Sequence, residues 1–287
     1  MKIRISADST ADLSQELVVQ YNVATMPLHV SLGDNDYLDG VNIQPQDIYD
    51  FYATTKKLPK SGARSAEEYK EFFQGILNEG YDAIVHFTIS ADMSASYANA
   101  EVAAREFSEV YVVDSRQLST GIGLLVLDAC DMAESGLDAK QIAERAVSRT
   151  ADTKSSFIVD TLEFLYKGGR CSSLAYLGAN LLQIKPCLEV KNGLIGVESK
   201  PMGRYRRCVA KYCEAIRQKA TNPDPKRCFV THTKMDEGIA EEVIETVKSW
   251  GIFDEVLETT AGCTVTTHCG ANTIGILYIN DGGLKRT

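Results

Sequence analysis

Apolar and polar residues alternate over residues 2–7, which reads as a first β-strand. Asp8, Ser9 and Thr10 follow at its C-terminal end, and Asp12 is placed to cap a short helix with Leu13, Leu17, Val18 and Tyr21 on its apolar side. Residues 23–32 form a second strand. A turn at 33–36 lets Tyr37-Leu38 pair back as a hairpin. Pro45 at a first helical position starts a helix through Tyr52. The loop 57–64 leads to Ser65 and Glu68, a capping box whose side chains satisfy the orphan N–H groups of a first turn. That helix closes at Gly80. The apolar run 83–89 is the next strand, followed by small hydroxyl residues at 90–96 and a helix to Phe107. Residues 110–113 form a strand ending in Asp114-Ser115. Two helices, about 121–134 and 138–151, are parted by Gly136.

Strand and helix thus alternate through residues 1–155. This is the pattern of an α/β/α domain with a parallel sheet, which binds ligands beyond the carboxyl ends of its strands. Asp8, Ser9, Ser94 and Asp114 all fall at such ends.

The pattern changes over residues 156–287. Phe157-Ile158-Val159 is β-prone, Asp160 with Glu163 reads as a capping box, and Gly168-Gly169 closes a two-turn helix. Arg170 follows directly, a cation fixed on a glycine-bounded corner and expected to be buried and paired. Ser172 opens a helix with Leu174, Leu177, Leu181 and Leu182 on one stripe, ended by Pro186. Asn192-Gly193 between two β runs signals a type I′ hairpin. A helix ends near Ala220, strands cover 227–233, 255–260 and 273–279, and an amphipathic helix spans 237–250. The turn 266–272 carries His268-Cys269-Gly270. This half reads as an α+β domain with a mixed sheet.

Composition narrows the function. The 287 residues carry a net charge of -9, which argues against nucleic acid as the partner, because phosphate binding needs a basic face. Residues 2–7 enter a strand at once, so a signal peptide is not expected. No apolar run approaches the length of a membrane span. Eight cysteines without a CxxC read as reduced thiols of a cytoplasmic protein rather than zinc ligands. Against this acidic background Lys200, Arg204, Arg206, Arg207 and Lys211 form a basic cluster. Asp8 and Asp12 suggest a small-molecule phosphohydrolase holding Mg²⁺, although their spacing fits an N-cap better. Residues 92–96 lack the glycines of a serine-hydrolase elbow. Ser61, Ser94 and Ser96 serve either as helix caps or as donors to an anion.

The motifs together resemble the DegV family of fatty-acid-binding proteins. They are Asp8-Ser9-Thr10-Ala11-Asp12-Leu13, Val113-Asp114-Ser115-Arg116, Val159-Asp160-Thr161-Leu162-Glu163 leading to Gly168-Gly169-Arg170, Ile184-Lys185-Pro186 and His268-Cys269-Gly270. The resemblance implies a two-domain DegV-like α/β fold with boundaries at 1–155 and 156–287. The first domain carries the carboxylate-binding loops, and the second closes an acyl-chain tunnel. It implies a long-chain fatty acid such as palmitate as ligand, with no cofactor, no metal and no catalytic residue of its own. Ser61, Gly62, Ser94, Ser96, Arg170 and His268 match the head-group positions. It further implies presentation of the bound acid to a bacterial fatty acid kinase subunit. Arg204, Arg206 and Arg207 would form the docking face, with transient contact to an anionic membrane. Ser61-Gly62-Ala63-Arg64-Ser65 departs from the usual Thr-Ser-Gln-Pro-Ser loop, and Arg64 adds a charge.

Overall fold

The computed structural model describes residues 1–170 and 184–285. Its first half contains β1 (Ile3–Asp8), α1 (Gln15–Gln20), β2 (Ala24–Met26), β3 (His29–Leu32), β4 (Asn35–Leu38), α2 (Pro45–Thr55), β5 (Lys60–Gly62), α3 (Ala66–Asn78), β6 (Ala83–Thr88), α4 (Ser96–Ala104), β7 (Val110–Asp114), α5 (Thr120–Glu134) and α6 (Ala139–Arg149). Its second half contains β8 (Thr153–Val159), α7 (Glu163–Gly168), β9 (Cys187–Lys191), β10 (Leu194–Ser199), α8 (Tyr205–Lys219), β11 (Arg227–His232), α9 (Ile239–Ser249), β12 (Glu255–Thr260), α10 (Cys263–Cys269) and β13 (Thr273–Ile279).

Three sheets organise these elements. The first is fully parallel in the order β2-β1-β6-β7. The second is mixed in the order β10-β9-β8-β13-β11-β12, with only β11 and β12 parallel. The third is a small antiparallel sheet, β4-β3-β5. The chain is therefore an α/β protein with a parallel-sheet N-terminal domain and a mixed-sheet C-terminal domain.

Burial explains the layering. Every residue of β6 is buried, so its two faces need helices on both sides. Val85 and Phe87 pack with α5 and α6, while Ile84 packs with Tyr69 and Phe73 of α3 and Ala100 of α4. The core around α5 also takes in Phe229, Leu277 and Ile279 of the second sheet. Helix α5 is thus a wall shared by both sheets, which accounts for its being apolar almost all round.

Several local expectations are corrected. The run 23–32 breaks at Pro27 into β2 and β3, which belong to different sheets. Ser14, not Asp12, caps α1, its Oγ accepting the Leu17 N–H. Asp12 is buried with left-handed backbone at φ 50°. The Asp160–Glu163 capping box does not form. Thr161 Oγ1 accepts the Glu163 N–H, Asp160 pairs with Lys185 at 2.6 Å, and Glu163 accepts from Tyr52 and Lys167. The turn expected at 266–272 is largely the helix α10. Asn192 and Gly193 have φ of 51° and 80°, as a type I′ turn requires. The helix expected from Ser172 lies outside the described residues.

Candidate ligand-binding cavity

A cavity partly open to solvent lies where β5, the loop after β6, α7 and α10 meet. Ser61, Gly62, Ser94, Arg170 and His268 line it, together with apolar groups including Leu28, Ile89, Met93, Leu165 and Val265. A second space shares Leu118, Val265 and Cys269 with the first and is also lined by Phe157 and Leu277. The two spaces share part of their walls, and polar residues occur in both among apolar side chains: Ser61, Ser94, Arg170 and His268 in the first, and Ser119, Ser156, Thr231, His232, Thr233 and Thr273 in the second.

Each polar group is carried by a specific piece of backbone. Ser61 sits on β5, opposite Val30 of β3. Ser94 closes a turn in which the Met93 and Ser94 N–H groups donate to the Ser90 carbonyl at 2.9 and 3.2 Å. His268 lies on the last turn of α10. The start of that helix is held by carboxylates from the N-terminal domain. Asp39 accepts from the Cys263 and Thr264 N–H groups at 2.7 and 3.0 Å, and Asp12 accepts from the Gly262 N–H at 2.8 Å. These bonds bring His268 Nε2 to 2.7 Å from Ser61 Oγ, across 207 residues of chain.

The His268 tautomer follows from its surroundings. Nδ1 is buried without a hydrogen-bond partner, and a Cβ on Gly168 would lie 2.6 Å from it. A buried N–H without an acceptor is rarer than a buried lone pair without a donor. The proton therefore belongs on Nε2, which donates to Ser61 Oγ and leaves the Ser61 proton free for a ligand. Burial, and next the Arg170 charge, push the imidazole pKa down to about 4, so the ring is neutral at pH 7. Ser61 and His268 have the separation of a nucleophile and its base. That chemistry needs a lone pair on Nε2 and an acceptor on Nδ1, the reverse of this arrangement.

The other expected site residues are distributed as follows. Arg170 is exposed, not buried and paired as expected, and its Nη1 donates to the Gly168 carbonyl at 2.7 Å. Gly169, at φ 70°, turns the chain out of α7 and carries the guanidinium to the cavity rim. Ser96 is fully buried behind Ser94, their oxygens 3.0 Å apart. Arg64 turns to Glu68 at 3.0 Å and to His29 at 3.2 Å rather than into the cavity. Asp8 and Asp12 do not line it. Asp8 accepts from Tyr69 and the Ile89 N–H, and Asp12 from Ser119 and the Gly262 N–H. Among the described residues no group of three or more acidic, histidine or cysteine side chains is placed to hold a metal. The sequence reading missed Thr264, whose buried Oγ1 has no hydrogen-bond partner on the cavity wall. It also missed the scattered apolar lining, which comes from α7, β10, α10 and several of the connections between elements and shows no period.

A family model described as an uncharacterised protein of the DegV family matches residues 2–281. The chain belongs to the DegV family. A fatty acid-binding protein of Thermotoga maritima is 29% identical over 281 residues, covering 96% of each chain. A DegV family protein from Thermus thermophilus, whose structure is titled for fatty acid binding, has a TM-score of 0.89 at 29% identity and covers 98% of this chain and all of its own. A stearic acid-binding protein from Eubacterium ventriosum has a TM-score of 0.86 at 27% identity, covering 98% of this chain and 99% of its own. These DegV relatives match nearly the whole length of the chain.

Proposed function

We propose that this DegV protein binds a long-chain fatty acid, palmitate or a close relative, between its two domains. The observation that carries the reading is the cavity itself: a largely apolar wall that also carries the Ser61 and Ser94 hydroxyls, the neutral His268 imidazole and the Arg170 cation. In this reading, residues 1–155 supply the carboxylate-binding loops through Ser61 and Ser94, and residues 156–287 close the cavity. Arg170 supplies positive potential at the rim, and His268 orients Ser61. The acyl chain supplies most of the affinity, since each buried methylene is worth about 0.8 kcal/mol.

The protein does no chemistry of its own in this account. Asp8 and Asp12 are engaged within the fold, which argues against the phosphohydrolase reading. The acid is instead presented to a fatty acid kinase subunit, which makes the acyl phosphate. Arg170 at the open rim supports this, because a carboxylate held there is near solvent. The seven described cysteines are free and buried, and no described helix is long and apolar enough to cross a membrane. Both observations suit a cytoplasmic protein. The docking face is assigned to the start of α8. Arg204, Arg206 and Arg207 are exposed there, although Arg206 pairs with Glu242 and donates to the Glu237 carbonyl. Charge reversal of Arg204 and Arg207 should slow acyl-phosphate formation by the kinase and leave fatty-acid affinity unchanged. An unchanged rate would remove the docking role, and any contact of this face with anionic membrane would then be tested separately.

The head-group contact is tested by Ser94→Ala. A hydrogen bond to a charged group contributes roughly 1.5–3 kcal/mol, so palmitate should bind about ten- to a hundredfold more weakly while hexadecanol changes little. Equal affinity for acid and alcohol in the wild type would show that no carboxylate is held here.

A further inference from the structure

The two domains meet at a seam beside the cavity. The turn of the β9–β10 hairpin, Asn192-Gly193, rests on the loop after β6 and the turn after β7. Ser90 Oγ donates to the Gly193 carbonyl at 2.7 Å, across 103 residues of chain. Arg116 Nη2 donates to the Asn192 carbonyl. The guanidinium is held by Asp92 at 2.6 Å and by Asp114 at 3.5 Å. Asp114 Oδ1 also accepts the Ala91 and Arg116 N–H groups, at 3.1 and 2.9 Å, which ties the two N-terminal segments together. The fit leaves no room for a side chain on the turn. A Cβ on Gly193 would lie 2.6 Å from Arg116 Cζ and 2.7 Å from Ser90 Oγ.

Both sides of this seam continue into the cavity wall. On one side the Ser90 carbonyl accepts the Met93 and Ser94 N–H groups, and Ile89, Met93 and Ser94 line the cavity. On the other side Ile195, two residues beyond Gly193, lines it too. Ile89 and Met93 pack against the apolar cluster that contains Ile195. The hairpin is also well placed to swing. β10 is the edge strand of the second sheet, with β9 as its neighbour, and its register shifts between Val197 and Ser199. An irregularity of this kind is a point at which a strand bends. We propose that Asn192-Gly193 is a clasp that closes the hairpin against the ligand cavity. Arg116 and Ser90 are positioning residues of this clasp and set how fast a fatty acid enters and leaves. The inference rests on the fatty-acid reading of the cavity.

A clasp has a kinetic signature that separates it from a ligand contact. Its hydrogen bonds run from protein to protein, so they hold the closed form equally in the empty and the filled protein. A contact of equal strength in both states changes the rate of opening and leaves the affinity nearly unchanged. Weakening it therefore speeds entry and exit together. Two substitutions weaken it from opposite sides. Arg116→Met removes the charged donor, a half-buried side chain, and leaves the Asn192 carbonyl to water. Gly193→Ala keeps both donors and pushes them off the hairpin with its Cβ.

The experiment mixes delipidated wild type and both variants with parinaric acid, a fluorescent long-chain fatty acid, and then displaces it with excess palmitate. The first step gives the entry rate and the second the exit rate. Each variant should raise both rates about three- to tenfold, the effect of one typical hydrogen bond, and move the affinity by less than either rate. A general loosening of the site would speed exit and leave entry unchanged, and that result overturns the inference. Unchanged rates, or slower entry, in a folded variant overturn it as well. If Gly193→Ala does not fold, Arg116→Met decides the matter alone. A wild type that binds the probe, with rates unresponsive to the substitutions, sinks only this inference. A wild type that binds neither the probe nor palmitate sinks the fatty-acid reading and this inference with it.

Discussion

Arg149→Met is expected to destabilise the protein by about 3–5 kcal/mol, the usual consequence of removing one partner from a buried ion pair. Arg149 ends α6 with no exposed surface. Its guanidinium reaches Asp128 on α5, Asp224 before β11 and Asp281 after β13, the last two at 2.7 and 2.9 Å. Three carboxylates from distant parts of the chain converge on one cation, so the cluster joins both domains. Burial already pushes the Asp128 pKa up to about 6, with Arg149 and then Arg227 holding it down. Removing Arg149 raises it further. A carboxyl whose folded pKa exceeds its unfolded value of 3.8 binds more protons folded than unfolded over that interval, so stability rises as pH falls through it. The Arg149→Met protein should therefore recover part of its loss between pH 8 and pH 5. Urea unfolding at the two pH values measures both effects. A loss below about 1 kcal/mol, or a deficit that grows toward pH 5, would contradict this account of the cluster.

Shortening the ligand from sixteen carbons to eight should weaken binding by about three to four orders of magnitude. Eight methylenes at about 0.8 kcal/mol each give roughly 6 kcal/mol, reduced by the ordering of the longer chain. Each 1.4 kcal/mol corresponds to about tenfold in affinity. The effect depends on the second space, lined in part by Phe157 and Leu277, receiving the end of the chain. Titration with octanoate and palmitate under identical conditions measures it. A ratio below about tenfold would place the acyl chain outside these two spaces.

What the sequence made legible was local. The parallel sheet could be read because β6 is one apolar run, and the α3 capping box because Ser65 and Glu68 are three residues apart. The α10 helix was hidden for the opposite reason. Cys-Thr-Val-Thr-Thr-His-Cys is rich in β-branched residues that favour strand or turn. Its first N–H groups are satisfied by Asp39, more than 220 residues away in sequence, so no neighbouring residue announces a helix. The Ser61–His268 contact depends on that same remote anchoring. At Arg170 the glycine pair gave the end of a helix but not the direction of the side chain, which Gly169 sends outward. Asp8 read as the end of a strand, whereas its bonding is set by Tyr69, 61 residues further on.

The central claim, that this cavity holds a long-chain fatty acid, is tested most directly by the lipid the protein carries. Mass spectrometry of a freshly purified, denatured sample should recover a C14–C20 fatty acid near one molecule per chain, and a delipidated sample should take up palmitate to the same level. Recovery of no fatty acid, together with no uptake of added palmitate, would contradict the account.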